Sequence, residues 1–246
     1  MPAPSLSFEN VSKSYGAVHA LADVTLSVDS GECLALVGES GSGKTTLLRC
    51  INRLVDPDGG MVRIDGRDAS ALDVIELRRS IGYVPQEGGL LPHWRVSRNV
   101  GLVPWLRGAP DAPLRAEEAL ELVGLPTATF GERWPDELSG GQRHRVAVAR
   151  ALAGGQSLML LDEPFGALDA ITRHDLQRMV AELRARRPLT IVIVTHDIHE
   201  AMFLADRVGV LHAGKLEQVA TPAVLGAEPA TPYVAHLLAR AELLRS

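Results

Sequence analysis

No stretch of the 246-residue sequence is long and apolar enough to cross a bilayer, which takes about 18 or more consecutive apolar residues. The first five residues, Met1 to Ser5, contain no basic group and no apolar run, so we expect no secretory signal peptide. If the protein works at a membrane, a second chain must supply the part that spans it.

Cysteine is also scarce, and the sequence has no excess of positive charge. The two cysteines, Cys33 and Cys50, match no metal-ligand spacing, and we expect both to be small buried thiols in a protein of the reducing cytoplasm. The 25 lysines and arginines are outnumbered by 30 aspartates and glutamates, which gives a net charge of −5. Because nucleic acids are held mainly by clustered cations, this balance indicates no nucleic acid partner.

The composition is that of an ordinary globular protein, with 46% hydrophobic and 22% charged residues in a length that suits one domain. Two nearly wholly apolar runs, 158–161 and 190–194, are typical of strands buried on both faces of a parallel sheet. Residues 6–11 and 24–28 instead alternate between apolar and polar, as half-exposed antiparallel strands do. Helical patterns separate the strands, so we predict an α/β fold.

Between Gln86 and Ser139 the pattern changes, because prolines break the segment into short pieces without buried strands. One clear helix is predicted there over 112–123, with Asp111 as its N-cap and Gly124 as its stop. We divide the sequence into a single domain of residues 1–246, with a mostly helical insertion at 88–135, an α/β core of 1–87 and 136–225, and a tail of 226–246.

The most informative motif directly follows the apolar run Cys33–Val37. It matches the phosphate-binding pattern G-x-x-x-x-G-K-[ST] in the strand-then-helix setting where that pattern has meaning. Glycines let successive N–H groups turn towards a polyphosphate, Lys44 can reach the β- and γ-phosphates, and the Thr45 hydroxyl can bind Mg²⁺. The residues are Gly38, Glu39, Ser40, Gly41, Ser42, Gly43, Lys44, Thr45 and, in the helix, Thr46. The motif predicts a site for a nucleoside triphosphate.

Two carboxylates end the buried run 158–161. In a triphosphatase an Asp at such a strand end, here Asp162, holds Mg²⁺. The next residue, Glu163, can polarise the water that attacks the γ-phosphate. A strand-end Asp on its own could equally be a helix cap, but the phosphate-binding motif upstream favours the catalytic interpretation.

A second candidate anion site is formed by Ser139, Gly140, Gly141 and Gln142. Ser139 is predicted to cap the helix that runs on from Arg143, and glycines before a helix N-terminus suit an anion. One triphosphate does not need two such sites from one chain. The economical interpretation is that each chain offers its second site to a nucleotide held by a partner.

This second segment, Leu138–Gln142 with the helix that follows, resembles the signature sequence of the ATP-binding-cassette (ABC) ATPases, and the resemblance extends over nearly the whole chain. It implies a P-loop NTPase core with a mostly parallel sheet, flanking helices, an antiparallel β subdomain and an inserted helical subdomain. It also implies ATP and Mg²⁺ as cofactors. A second copy of the chain would pack head-to-tail, with each ATP between one phosphate loop and the other chain's Ser139–Gln142.

Four further positions take roles from the same resemblance. Tyr15 resembles the aromatic that stacks on adenine, and Gln86 resembles the glutamine that senses Mg²⁺ and the attacking water. Gly166–Asp169 is similar to the loop that crosses the dimer interface, and His196 matches the histidine that contacts the γ-phosphate. On its own, Tyr15 could be a core or surface ring, and a lone His at a strand end such as His196 is more often structural, but its place within this set of motifs favours the functional role. The resemblance thus assigns catalysis to Glu163, His196 and Gln86, nucleotide contact to Tyr15 and Asp169 besides the two loops, and Mg²⁺ to Thr45, Gln86 and Asp162.

The arrangement of motifs separates the known kinds of ABC ATPase. Members of repair and chromosome maintenance carry very long coiled coils, translation factors usually carry two cassettes, and exporters are usually fused to membrane helices, none of which this sequence has. A single cassette resembles the motor subunit of a bacterial importer. Such a subunit lies on the cytoplasmic face of the inner or plasma membrane, binds integral membrane permease subunits and acts indirectly with an extracytoplasmic solute-binding protein.

The segment Leu91–His93, followed by Asn99 to Pro104, resembles importers of quaternary-amine osmoprotectants such as glycine betaine, choline and carnitine. Import of amino acids, sulfonate or nitrate, or metal chelates stays open. So does a soluble ABC ATPase assembly factor, which would not copurify with membrane chains. A nucleotide-binding regulator that does not hydrolyse ATP is disfavoured, because both Glu163 and His196 are present. Within 246 residues we expect no appended sugar-importer or osmosensing domain.

Overall fold

The computed structural model of the chain describes residues 3–166 and 168–243. The strands are β1 (Leu6–Tyr15), β2 (Val18–Val28), β3 (Cys33–Val37), β4 (Gly59–Ile64), β5 (Arg67–Asp68), β6 (Ile81–Val84), β7 (Leu158–Asp162), β8 (Thr190–Val194), β9 (Arg207–His212) and β10 (Lys215–Ala220). The helices are α1 (Lys44–Ile51), α2 (Val74–Ser80), α3 (Val96–Val100), α4 (Leu102–Leu106), α5 (Ala112–Leu122), α6 (Thr127–Phe130), α7 (Gly140–Leu152), α8 (Ala170–Arg186), α9 (Ile198–Leu204), α10 (Pro222–Ala227) and α11 (Pro232–Leu243). Among these described helices, none is both long and apolar enough to span a membrane.

The chain folds as two compact units. The first runs to Arg78 and resumes at Leu189, and the second is Arg79–Pro188. This division does not test the helical insertion expected at 88–135, whose boundaries stay a prediction.

The first unit contains a sheet in which β3 lies between β8 and β9, both parallel to it, with β10 antiparallel at the edge. Every residue of β3 and β8 is buried, which confirms the strand predicted from the apolar run at 190–194. Both cysteines are buried free thiols, as expected, and burial raises the pKa of Cys50 to about 12.

A second, antiparallel sheet of this unit has the order β2-β1-β4-β5. Phe8 pairs with Leu26 on one side and Val62 on the other, and all three side chains are buried. The strands are longer than the predicted 6–11 and 24–28, because register shifts after Phe8 break the period of two while the hairpin continues to Tyr15.

The second unit pairs β6 and β7 in parallel, and α7 packs on β6 so closely that a Cβ on Gly82 would lie 2.5 Å from the Ala151 carbonyl oxygen. Strand β7 extends the predicted run 158–161 by one residue, Asp162, and is wholly buried.

Helices α3 to α6 make the proline-rich segment helical, as predicted. Helix α5 begins and ends within one residue of the predicted limits. However, the Asp111 side chain does not cap it. Its Oδ2 instead accepts from Arg115 Nε at 2.9 Å, one turn along the helix, so an ion pair takes the place of the expected cap.

Candidate functional site

The phosphate loop connects β3 to α1 in the first unit, and its backbone requires glycine at both ends. Gly38 has a φ of 151°, and a Cβ there would lie 2.1 Å from the Leu211 carbonyl oxygen. Gly43 has a φ of 105°, and a Cβ there would lie 2.3 Å from the Ala20 carbonyl oxygen. Both the conformation and the close backbone contacts therefore exclude larger residues.

Lys44 is buried within this loop, although its ammonium group is charged. Its Nζ donates to the carbonyl oxygens of Gly38 and Glu39, both at 2.8 Å, and to Ser42 Oγ at 3.3 Å. The Ser42 N–H also donates to the Glu39 carbonyl at 3.2 Å. Thr45 and Thr46 follow in the first turn of α1, next to the helix N-terminus. The loop thus gathers a cation and a set of N–H groups around one short stretch of backbone, as anion binding requires.

Tyr15 ends β1 with an exposed ring, 51% accessible, which leaves a face for stacking. Its hairpin is fixed by Asp58, whose Oδ1 accepts from Lys13 Nζ at 2.7 Å and whose Oδ2 accepts from the Ser14 N–H at 2.7 Å. Lys13 Nζ also lies 5.7 Å from the Tyr15 ring centroid. No sequence pattern points to Asp58, because its partners Lys13 and Ser14 are far away along the chain.

His196 follows the buried strand β8 in the same unit and is exposed. The preceding residue, Thr195, is buried, and its N–H donates to the Leu36 carbonyl of β3 at 3.1 Å. Since β3 leads directly into the phosphate loop, this bond sets His196 beyond the same end of the parallel strands as the loop.

In the second unit Gln86 and Glu163 are brought together: Gln86 Nε2 donates to Glu163 Oε2 at 3.1 Å. Asp162 ends β7 with a buried side chain, and Tyr83 Oη donates to its Oδ2 at 3.3 Å. Glu163 has a φ of 47°, in the left-handed region that side chains other than glycine rarely adopt. Such strain is typical of functional positions. Tyr83 was not predicted as part of this group.

The predicted cap of α7 is confirmed. Ser139 Oγ accepts from the Gln142 N–H at 3.3 Å, while Gln142 Oε1 accepts from the Ser139 N–H at 3.0 Å. A Cβ on Gly141 would lie 2.2 Å from Thr172 Cγ2, so α7 and α8 approach closely here.

Asp169 lies at the start of α8, next to this contact. Its Oδ1 accepts from the N–H groups of Ile171 at 3.2 Å and Thr172 at 3.0 Å, and hydrogen bonding from Thr172 lowers the pKa of Asp169. The predicted interface loop also includes Ala167, which lies outside the described residues.

At the other end of α7, Arg150 holds the segment that follows Gln86. Its Nη1 donates to the Gly89 carbonyl at 2.6 Å, and its Nη2 donates to the Gly88 carbonyl at 2.8 Å. One helix therefore carries the Ser139 cap at its start and contacts the Gln86 segment near its end.

Residues 21–166 match the family model described as ABC transporter, and the chain belongs to that family. Among curated proteins it is 45% identical over 244 residues to the choline transport ATP-binding protein OpuBA of Bacillus subtilis, covering 98% of this chain and 64% of that protein. It is 43% identical to the glycine betaine uptake system ATP-binding protein YehX of Escherichia coli, covering 97% of this chain and 78% of YehX.

The sulfate/thiosulfate import ATP-binding protein CysA of Thermosynechococcus vestitus is 46% identical, covering 98% of this chain and 71% of CysA. The chain spans only 64% of the length of OpuBA, so that relative is considerably longer. Among solved structures, the cassette MJ0796, in a dimeric post-hydrolysis state bound to ADP and Pi, matches with a TM-score of 0.79 and 35% identity. That match covers 88% of this chain and 98% of MJ0796, and it confirms the predicted fold.

Proposed function

We propose that the chain is the ATP-hydrolysing motor subunit of an ABC importer. The observation that carries the proposal is the loop Gly38–Thr45, whose backbone requires glycine at positions 38 and 43 and whose carbonyl oxygens accept from the Lys44 ammonium. Membership of the ABC transporter family supports this function, and so does the similarity to a cassette solved with ADP and Pi.

Nucleotide binding replaces the internal partners of Lys44. Its ammonium donates to the carbonyl oxygens of Gly38 and Glu39, and a phosphate oxygen carries negative charge, so the β- and γ-phosphates are stronger acceptors than those carbonyls. The N–H groups of Ser40 to Thr46 then face the phosphates at the positive end of α1. The exposed Tyr15 ring stacks on adenine.

Thr45, Gln86 and Asp162 supply the hydroxyl, amide and carboxylate oxygens that Mg²⁺ takes as ligands. Across the described residues, no group of three or more His, Cys, Asp or Glu side chains could hold a metal. Mg²⁺ in nucleotide sites is commonly held by one or two carboxylates together with substrate phosphates. When bound, Mg²⁺ neutralises charge that develops on the phosphates.

Glu163 is the proposed base for the attacking water. Gln86 holds its carboxylate by a 3.1 Å hydrogen bond and can orient the same water. His196 is the proposed contact for the γ-phosphate. These residues position the reactants and stabilise charge, which is most of the work in phosphoryl transfer.

The cap formed by Ser139–Gln142 serves a partner's nucleotide in a head-to-tail dimer. Its N-terminal N–H groups and its glycines suit a γ-phosphate. Asp169, at the neighbouring start of α8, lines the same interface. The dimeric state of the similar cassette MJ0796 supports this arrangement.

The proposed cargo is a quaternary-amine osmoprotectant. An extracytoplasmic binding protein delivers it to the permease subunits, and this chain binds those subunits at the cytoplasmic face of the membrane. The names of the choline and glycine betaine relatives support this cargo. A sulfate or thiosulfate importer is the second candidate, because the CysA relative is as similar in sequence.

The test is ATP hydrolysis by the native complex, purified through this chain and reconstituted in lipid with its binding protein. Stimulation by glycine betaine, choline or carnitine is expected. Stimulation by sulfate alone would keep the motor and change the cargo. Purification without any membrane chain would favour a soluble assembly factor instead.

A further inference from the structure

The C-terminal helix α11 reaches the phosphate loop through two side chains. The Glu39 N–H donates to Tyr233 Oη at 3.3 Å, and Arg240 Nη1 lies 3.3 Å from Glu39 Oε1. These contacts join residues 194 and 201 positions apart in the sequence. Both end on the same loop residue, the second of the phosphate-binding motif.

Tyr233 is itself held in place. Its ring stacks on His212 with the centroids 3.8 Å apart and the planes 12° from parallel. His212 ends β9, next to Leu211, whose carbonyl oxygen lies against Gly38. Burial raises the pKa of Tyr233 above its ordinary value, and the phenol oxygen accepts from the Glu39 N–H.

Glu39 is also the residue on which the internal bonds of the loop converge. Its carbonyl accepts from Lys44 Nζ at 2.8 Å and from the Ser42 N–H at 3.2 Å. Both donors belong to the set that a triphosphate requires. If they turn to phosphate, Glu39 would lose those bonds, while its contacts to α11 use neither Lys44 nor Ser42 and would stay in place.

We propose that α11 is a positioning element for the phosphate loop, in which Tyr233 and Arg240 hold Glu39 while Lys44 and Ser42 exchange partners. This inference rests on the proposed nucleotide-binding function. A loop fixed at Glu39 has less conformational freedom to lose when nucleotide binds, so the contact strengthens binding rather than the chemical step.

The test uses the full chain and the variant Tyr233→Phe, which removes the hydroxyl and keeps the ring for stacking on His212. The dissociation constant for Mg·ATP should rise about three- to ten-fold, as the loss of one hydrogen bond predicts. KM should rise with it while kcat stays nearly constant. His236→Gln, an exposed change on the same helix, should alter neither.

Hydrogen exchange gives a second readout that needs no variant. In the wild type, ADP should slow exchange at the Ser42 amide and leave the Glu39 amide as protected as before. In Tyr233→Phe the Glu39 amide should exchange faster. Arg240→Gln should weaken binding by about two-fold or less, because its ion pair is exposed.

Two results would overturn the inference: a Tyr233→Phe chain that binds ATP as tightly as the wild type, or a Glu39 amide that loses protection when ADP binds. A wild type that binds no ATP at all would instead reject the proposed function. The two failures are therefore distinguishable in one titration series.

Discussion

Glu163 combines a strained backbone with a neutral hydrogen-bond partner. Its φ is 47°, and its Oε2 accepts from the Gln86 amide at 3.1 Å. A left-handed conformation costs a non-glycine residue of order 1 kcal/mol or more, so the surrounding structure must hold it. The result is a carboxylate in a fixed direction, as the proposed role of general base requires.

Glu163→Gln is therefore expected to lower the rate of ATP hydrolysis by about 100-fold or more, because an amide cannot accept the proton from water. Nucleotide affinity should stay close to that of the wild type. Steady-state phosphate release and equilibrium ATP binding measure the two effects. Glu182→Gln, an exposed change on α8, is the matched control, and a wild-type rate in Glu163→Gln would exclude Glu163 as the base.

Lys44→Ala is expected to weaken ATP binding by about ten-fold or more. The substitution removes the ammonium group that, in the proposed function, exchanges its bonds to two carbonyl oxygens for bonds to phosphate. Titration calorimetry of the isolated chain measures this. Lys215→Ala, an exposed lysine of the same unit, should bind as the wild type does. Equal affinity in Lys44→Ala would mean that the loop holds its nucleotide in another way.

At the scale of elements, the contact of α7 with α8 depends on Gly141. A methyl group there would lie 2.2 Å from Thr172 Cγ2, so Gly141→Ala should lower the free energy of unfolding by about 1–3 kcal/mol. Thr172→Ser removes that methyl and keeps the hydroxyl beside Asp169, so the double variant should recover most of the loss.

Urea unfolding of the wild type, the two single variants and the double variant measures the coupling free energy between Gly141 and Thr172. Gly140→Ala is the control, because its Cβ would meet Leu168 Cδ2 at an ordinary 3.5 Å. Equal losses in Gly140→Ala and Gly141→Ala, or no recovery in the double variant, would contradict close packing at Gly141.

Elements buried on both faces were predictable, whereas short or irregular ones were not. The apolar runs give β7 and β8 almost to the residue, because burial on both faces leaves no polar alternation. Helices α3 and α4 have five residues each, too few for a helical period to appear, and β1 carries bulges that disturb its alternation.

The candidate site divides in the same way. The phosphate loop and the Ser139 cap are local sequences whose backbone chemistry can be predicted directly. The bonds from Tyr83 to Asp162 and from Tyr233 to Glu39 join distant segments, so they follow from the fold and not from any nearby pattern.

At the scale of the whole molecule, the proposed assembly needs one chain's loop and the other's cap. ATP should therefore convert Glu163→Gln from a monomer to a dimer, measured by light scattering after gel filtration. Adding Ser139→Arg should abolish the dimer while each monomer still binds ATP, because in the proposed dimer the cap contacts the nucleotide held by the partner. Adding Ala71→Arg, an exposed change elsewhere, should leave the dimer intact.

A dimer that survives Ser139→Arg would contradict the head-to-tail arrangement. Loss of ATP binding in that variant would mean that the cap serves the nucleotide of its own chain.

Helix α7 can be regarded as a rigid rod. Its 13 residues span about 20 Å, with the Ser139 cap at one end and, near the other, an arginine bonded to two consecutive carbonyls. In the proposed dimer, a displacement of the cap along the helix axis would be carried to the other end, because an α-helix hardly stretches along its axis. Gly88 and Gly89, which have positive φ, would receive that displacement just beyond Gln86. The site offered to a partner's nucleotide would thereby be coupled mechanically to the segment that adjoins Gln86 and its hydrogen-bond partner Glu163.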